Sequence, residues 1–187
     1  ARNQTPILAI LREAFAQTRS VLEIGSGTGQ HAVHFGAALP HLVWQTSDLA
    51  ENHAGIRLWL DEARLANVRP PIVLDVHGIW PVRMVEAVFT ANTLHIIDWA
   101  GGQKLILGAG GLLPRGGKLA VYGPFNYGGH FTSDSNARFE AWLKARNPQS
   151  GIRDFEAVRD CAARAGLELE ADHAMPANNR LLLFNKN

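Results

Sequence analysis

Cysteine is all but absent, with Cys161 the single example in 187 residues. One cysteine can form no internal disulfide, which suits a reducing compartment. Cys161 sits in a helical pattern with no activating neighbour, so it reads as a small buried hydrophobe rather than a nucleophile. No apolar run approaches the ~18 residues that a membrane span needs, and no leader-like stretch opens the sequence, so a cytoplasmic protein is expected. Charge is also sparse: 19% of residues are charged and the formal net charge is +1. Without clustered Lys and Arg there is no surface to coat a nucleic-acid backbone, and small or neutral substrates are expected. Internal repeats and low-complexity segments are lacking too. What remains is a chain that is 47% hydrophobic and long enough for one well-filled core, so a single domain over residues 1–187 is expected.

The sequence is organised around Val21-Leu22-Glu23-Ile24-Gly25-Ser26-Gly27-Thr28-Gly29-Gln30-His31. An apolar run gives way to alternating glycines and then to an amphipathic pattern, which reads as strand, tight turn and helix start. Glycines there allow positive φ and let the backbone approach a ligand, while the N–H groups of the helix start point at it. The spacing excludes two common ligand classes. A dinucleotide fingerprint needs its third glycine where Gln30 stands, and a phosphate loop needs Gly-Lys-Ser/Thr before the helix.

Strand and helix patterns alternate along the rest of the chain. Thr5-Pro6 opens an N-terminal amphipathic helix carrying Ile7, Leu8, Leu11 and Phe15, with Thr5 as the expected N-cap; Arg2 and Asn3 just before it are placed to reach a ligand. The first crossover helix runs from Gln30 to Leu39. His31 and His34 lie one turn apart on it, but no third ligand at a telling spacing accompanies them and no metal is expected. A strand from Leu42 ends at Asp48, just over twenty residues beyond the glycine turn, where a carboxylate can hold ribose hydroxyls; a helix follows from Ala54 to Ala66. Pro70-Pro71 closes the loop into a buried strand, Ile72 to Val76, whose Asp75 can accept a hydrogen bond from an exocyclic amine.

The fourth strand spans Ala87 to Ala91, and Asn92 and His95 follow at its carboxyl end, where ligands of open parallel sheets bind. Asp98 caps a helix to Leu113 that holds Gly101, Gly102, Gly108, Gly110 and Gly111, enough glycine to suggest local mobility. The fifth strand is Lys118 to Tyr122. A long stretch from Asn126 to Asp154, rich in aromatic and polar side chains, reads as a loop of the kind that forms lids and substrate surfaces. The last helix, Phe155 to Ala165, ends at Gly166, and two strands, Leu167 to Met175 and Arg180 to Phe184, close the chain through a short turn.

The expected fold is therefore α/β: a Rossmann-like, doubly wound, mostly parallel sheet of about seven strands with an antiparallel C-terminal hairpin. With the G-x-G-x-G turn, the acid after strand two and Leu112-Leu113-Pro114-Arg115-Gly116-Gly117 before strand five, the chain resembles a class I S-adenosylmethionine (SAM) methyltransferase. More narrowly, almost its whole length resembles the short methyltransferase-like proteins, a family of unknown substrate that includes methyltransferase-like protein 26. The segments that carry this likeness are Arg2-Asn3 before Pro6-Ile7-Leu8, the glycine stretch itself, Trp44-Gln45 with Ser47-Asp48, and Leu74-Asp75-Val76. Further along they are Asn92 with His95-Ile96, Tyr122-Gly123-Pro124-Phe125, Ser135-Asn136 and Met175-Pro176-Ala177-Asn178-Asn179.

The resemblance implies SAM as the bound methyl donor and S-adenosylhomocysteine (SAH) as its product. It implies cofactor binding by Glu23, Gly25, Ser26, Gly27, Thr28, Gly29, Gln30, Asp48, Asp75, Val76 and Asn92, with adenine at the Asp75–Val76 position. Acceptor binding is expected at Arg2, Asn3, Phe125, Ser135, Asn136 and Asn178. One departure matters: Asn92-Thr93-Leu94-His95 is not the Asn/Asp-Pro-Pro-Tyr/Phe signature of enzymes that methylate amino groups of bases or glutamine.

Methyl transfer from a sulfonium is an in-line displacement, so alignment and desolvation can supply most of the acceleration. An oxygen or nitrogen acceptor that starts protonated still needs a base, and His95 or His130 is expected to serve, with Tyr122 as an orienting hydroxyl. A thiol acceptor needs none. The rival reading is a SAM-binding sensor or interaction protein without chemistry. A nicotinamide-dependent reductase comes third, with Gln30 against it.

Overall fold

The computed structural model describes residues 3–187, and the termini of its elements follow from local chemistry. Helix α1 (Gln4–Ala14) buries Ile7, Leu8 and Leu11 and takes Asn3, not Thr5, as its N-cap residue. Pro6 therefore lies within the first turn, where no intrahelical partner exists for its missing N–H. There follow β1 (Ser20–Ile24), α2 (Gln30–Ala38), β2 (Val43–Asp48), a 3-10 turn (Ala50–Asn52), α3 (His53–Ala63), β3 (Val68–Val73) and β4 (Ala87–Ala91). The second half comprises α4 (Trp99–Leu112), β5 (Lys118–Gly123), β6 (Phe125–Asn126), α5 (Asp134–Arg146), β7 (Arg153–Asp154), α6 (Phe155–Arg164), β8 (Leu167–Met175) and β9 (Asn179–Lys186).

Seven strands form one sheet in the order β3-β2-β1-β4-β5-β9-β8. All neighbours are parallel except β9, which runs antiparallel to both β5 and β8. The chain winds outward from β1 through β2 to β3, then returns to β4 on the other side of β1. The strand order thus reverses between β1 and β4, and a crevice opens at their carboxyl ends.

Alternation along each strand feeds two cores. Leu22, Ile24, Val88, Leu119, Val121 and Phe184 pack with α4 and α6 on one face. Val21, Phe89, Ala120, Tyr122 and Leu183 pack with α1 and α2 on the other. A period of two in sequence becomes two buried layers, which is why both faces of these central strands are apolar.

Three elements differ from their sequence-based outlines. Strand β3 begins earlier than Ile72 and includes Pro70 and Pro71; it is an edge strand, and its pairing with β2 shifts register between Gln45 and Ser47. Proline is tolerated where no further strand needs its N–H. The stretch from Asn126 to Asp154 is not a plain loop. It contains α5, capped by Ser133, whose Oγ accepts from Asn136 N at 3.1 Å, and β6 and β7 pair in parallel to close the excursion. In α4, the glycines that suggest mobility mostly have packing reasons instead. A Cβ on Gly108 would fall 2.6 Å from the Trp80 ring, and one on Gly110 would fall 2.6 Å from Ala165. Among the described residues no helix is long and apolar enough to cross a membrane.

Candidate active site

A cavity of about 760 Å³ lies over the carboxyl ends of β3, β2, β1 and β4. Its floor is the turn after β1, where Gly25 and Gly27, with φ of +72° and +60°, line it, while Gly29, at +86°, lies in the same turn but is not a lining residue. Two of these glycines are also forced by contact: a Cβ on Gly25 would meet Thr93 Oγ1 at 2.6 Å, and one on Gly29 would meet the Ile56 backbone at 3.3 Å. Around Gly27 no atom stands within 4 Å of the Cβ position, so any side chain there would enter open space beside the cavity. Gly29 is the N-cap residue of α2 and no side chain caps that end, leaving its N–H groups for a ligand.

Glu23 does not line the cavity; it braces the turn from below. Its Oε2 accepts from Ser26 Oγ at 2.9 Å and from Trp44 Nε1 at 3.1 Å. Ser26 Oγ accepts in turn from Ser47 N at 3.1 Å, and Ser47 Oγ donates to the Glu23 carbonyl at 2.6 Å. Burial pushes the Glu23 carboxyl up to about 7, against the hydrogen bonds from Trp44 and Ser26. Asp48 closes the turn from the side. Its Oδ2 accepts from Gly27 N at 2.7 Å, and its Oδ1 accepts from Leu49 N at 2.8 Å and from Asn52 Nδ2 at 2.7 Å.

Asp75 and Val76 line the cavity just past β3, and Asp75 Oδ1 accepts from His77 N at 2.9 Å. Asp98, the N-cap of α4, accepts from Gly101 N at 2.6 Å and lies 3.2 Å from His77 Nε2. Asn92 lines the cavity with φ of +57° and donates its N–H to the Tyr122 carbonyl at 2.9 Å. Ser26, Thr28 and Gln30 complete the loop side. Among the described residues the lining thus holds three carboxylates, those of Asp48, Asp75 and Asp98, and no Lys or Arg.

The other sequence candidates lie elsewhere. His95 is buried beneath the loop after β4, with its ring 5.3 Å from Phe139 in an edge contact and against Gly123, and it is not among the lining residues. Burial, with the Arg153 charge adding to it, lowers its pKa to about 4. His130 is exposed in a tight turn whose backbone pairs with Tyr127, also off the cavity. Tyr122 is buried off the cavity, and burial raises the pKa of its hydroxyl.

Phe125 belongs to the core. Ser135, Asn136 and Asn178 do come together, but as a clasp rather than as cavity wall. Asn178 Nδ2 donates to Ser135 Oγ at 3.2 Å, while Asn136 Nδ2 donates to the Asn178 carbonyl at 3.3 Å and to Thr132 Oγ1 at 3.0 Å, tying the start of α5 to the β8–β9 turn. Arg2 lies outside the described residues.

Sequence reasoning passes over several lining residues. Asn147 and Gln149 reach the cavity from the segment after α5, a helix the sequence pattern did not reveal. Arg153 fixes that segment: its Nε donates to the Leu94 carbonyl at 3.0 Å, and its Nη2 donates to the carbonyls of Ile97 at 2.5 Å and Gln149 at 2.9 Å. His31, considered in the sequence only as half of a metal pair, lines the cavity with its Nε2 3.3 Å from Asn3 Oδ1. Its position directly after Gly29-Gln30, in the first turn of a ligand-facing helix, was the available signal.

Solved structures share this architecture. The chain is similar to an O-methyltransferase family protein from Burkholderia thailandensis, with a TM-score of 0.87 and 18% identity over 98% of this chain and 56% of that one. It is similar to an O-methyltransferase family 2 protein from Planctomyces limnophilus in complex with apigenin, with a TM-score of 0.81 and 18% identity over 91% of this chain and 52% of that one. It is similar also to PigF with SAH, with a TM-score of 0.81 and 17% identity over 97% of this chain and 61% of that one. The chain therefore spans little more than half the length of these structures, and at such identities the likeness concerns the fold, which is that of the methyltransferases. Over residues 1–186 the chain matches the family model described as a protein of unknown function, DUF938, and it belongs to that family.

Proposed function

We propose that this protein is a SAM-dependent methyltransferase acting on a small-molecule acceptor. The observation that carries the reading is the charge of the cavity: among the described residues, three carboxylates and no Lys or Arg surround a glycine turn. A dinucleotide brings a pyrophosphate that such a lining would repel, whereas a sulfonium with an adjoining ammonium is cationic and is drawn to it. The residues also fit the neutral parts of SAM. Asp48 has carboxylate oxygens to share with ribose hydroxyls, and Asp75 beside Val76 can take an amino group from the adenine edge. Glycine at the Gly27 position leaves room for the ligand to lie against backbone N–H groups.

SAM supplies an activated methyl group when bound; the chain's own work is to hold it, to exclude water and to line up the acceptor. The names of the structural neighbours, O-methyltransferases, support methyl transfer, and the neighbour solved with SAH supports the cofactor. The closer likeness to the family of methyltransferase-like protein 26 and a cytoplasmic location are part of the same proposal. A SAM-binding role without chemistry is the competing reading, and one observation favours it: His95 and His130 both lie off the cavity.

Incubating the protein with methyl-labelled SAM and a panel of small hydroxyl compounds, amines and thiols decides between them. Transfer of label to any of these supports methyl transfer. Saturable SAH binding with no label moved to any of them would favour the sensor.

A further inference from the structure

Five carboxyl-terminal ends lie side by side along the sheet edge: Asp75 just past β3, Asp48 at the end of β2, the glycine turn after β1, Asn92 after β4, and Tyr122 near the end of β5. Neighbouring strands are ~4.8 Å apart, so these positions form a ruler. The carboxylates stand on the β3 and β2 side, with Asp98 joined to His77 there. On the SAM reading above, on which this inference rests, the nucleoside takes that side and the acceptor takes the side over β4 and β5.

His31 stands on the acceptor side. Its ring stacks on Phe35 at 5.4 Å and meets Phe89 of β4 edge-on at 6.1 Å. Asn3 holds it from behind, with Oδ1 3.3 Å from Nε2. Next to Asn3, Gln4 Nε2 donates to the Gln30 carbonyl at 3.2 Å, pinning the start of α1 to the start of α2. With Asn3 Oδ1 as the acceptor, the tautomer that makes this contact carries its proton on Nε2 and keeps a bare lone pair on Nδ1. Among the described residues Nδ1 has no hydrogen-bond partner. Burial lowers the His31 pKa to about 4, which keeps the ring neutral at neutral pH.

We propose that His31 is the residue that grips the acceptor, a neutral hydroxyl compound such as a phenol: Nδ1 accepts the O–H hydrogen bond and then the proton, with Asn3 as its positioning residue. In the transfer the acceptor O–H bond breaks and its proton passes to Nδ1. The oxygen forms a bond to the methyl carbon while the methyl–sulfur bond breaks, its electron pair staying on sulfur. One positive charge is present before and after; it moves from sulfur to the imidazolium, which then gives its proton to water. Among the described residues no Lys or Arg lines the cavity to hold an anion, and the lining carboxylates that would hold an amine sit on the nucleoside side, which favours a neutral acceptor.

The test uses catechol as the hydroxyl probe and thiophenol, which ionises readily, as a probe needing no base. In wild type both are methylated. In His31→Gln the loss of kcat with catechol exceeds the loss with thiophenol by on the order of 100-fold, with the SAH Kd within about threefold of wild type as the check on folding. Asn3→Ala lowers the catechol rate by about tenfold, and Asn3→Asp, which keeps an oxygen on Nε2, restores part of it.

A second readout is independent of turnover. Long-range proton–nitrogen spectra of the SAH-saturated protein show His31 protonated on Nε2, and catechol shifts its Nδ1 resonance. Equal losses with both probes, the opposite tautomer, or loss of SAH binding in His31→Gln would overturn the assignment. Wild-type protein that binds SAH but methylates no catechol would overturn the hydroxyl acceptor and leave the SAM reading intact. Failure of the folded wild-type protein to bind SAH would overturn both.

Discussion

Gly27 donates its N–H to Asp48 at 2.7 Å, so the turn after β1 and the end of β2 are one unit rather than two neighbouring pieces. The same carboxylate also receives Leu49 N and Asn52 Nδ2. A single side chain thereby sets the shape of the turn and offers the ligand its acceptor oxygens.

Asp48→Ala is expected to weaken SAH binding by at least tenfold, since charge-assisted hydrogen bonds contribute about 1.5–3 kcal/mol each. Asp48→Asn keeps the shape and one acceptor oxygen and should fall between the two. Calorimetric titration with SAH checks the order; equal affinity in all three proteins would remove Asp48 from the site.

Glu23 gives a pH dependence of stability. Its folded pKa is raised to about 7 from 4.5. Between those values the folded state binds a proton that the unfolded state has released, so stability from this group falls as pH rises through that window and levels off above it. Both donors to Glu23 meet the same oxygen, Oε2, and the amide oxygen of glutamine can replace it. Glu23→Gln should therefore gain on wild type by about 2–3 kcal/mol between pH 5 and pH 8, read from urea unfolding at each pH. A constant difference across that range would show that Glu23 does not carry a raised pKa.

Gly27 and Gly108 separate function from packing. Gly27→Val meets no protein atom but adds a side chain beside the cavity at φ +60°, so SAH binding is expected to be lost with a stability cost of about 1–2 kcal/mol. Gly108→Ala places its Cβ 2.6 Å from Trp80; neither residue lines the cavity, and the variant is expected to cost about 1–3 kcal/mol with SAH affinity unchanged. Thermal melting and calorimetry on both variants check the contrast.

Arg153→Ala leaves the carbonyls of Leu94, Ile97 and Gln149 without their donor. A stability loss of about 2–3 kcal/mol is expected, together with weaker SAH binding, because two cavity-lining segments lose their common anchor. Arg153→Lys, with a point charge in place of a fork, should recover less than half of the loss.

How much of this was legible beforehand depended on whether the signal was local. Strand β4 falls on Ala87–Ala91 as the apolar run suggests, and Asp98 caps α4 as its spacing suggests, because each is decided within a few residues. Pro70 and Pro71 read as a loop before β3 because whether a strand lies at an edge is a property of the sheet, not of the strand. The sequence pattern does not show helix α5, because its apolar positions, Phe139, Trp142 and Leu143, are few and only Leu143 is deeply buried. The glycine turn, Asp48 and Asp75 were legible from spacing. Their neighbours Asn147 and Gln149 were not, since their segment is tied to the loop after β4 by long-range bonds from Ser150, Gly151 and Arg153. His95 was placed by its position after a strand, but that position fixes where the backbone emerges and not where the ring turns, and here it turns under Phe139.

The most direct measurement is calorimetric titration of the folded protein with SAM, SAH and NADH in turn. Saturable binding of both adenosyl ligands, lost in Gly27→Val, and none of NADH is the expected result. Binding of NADH, or of none of the three, would contradict the SAM site formed by Gly25–Gly29, Asp48 and Asp75.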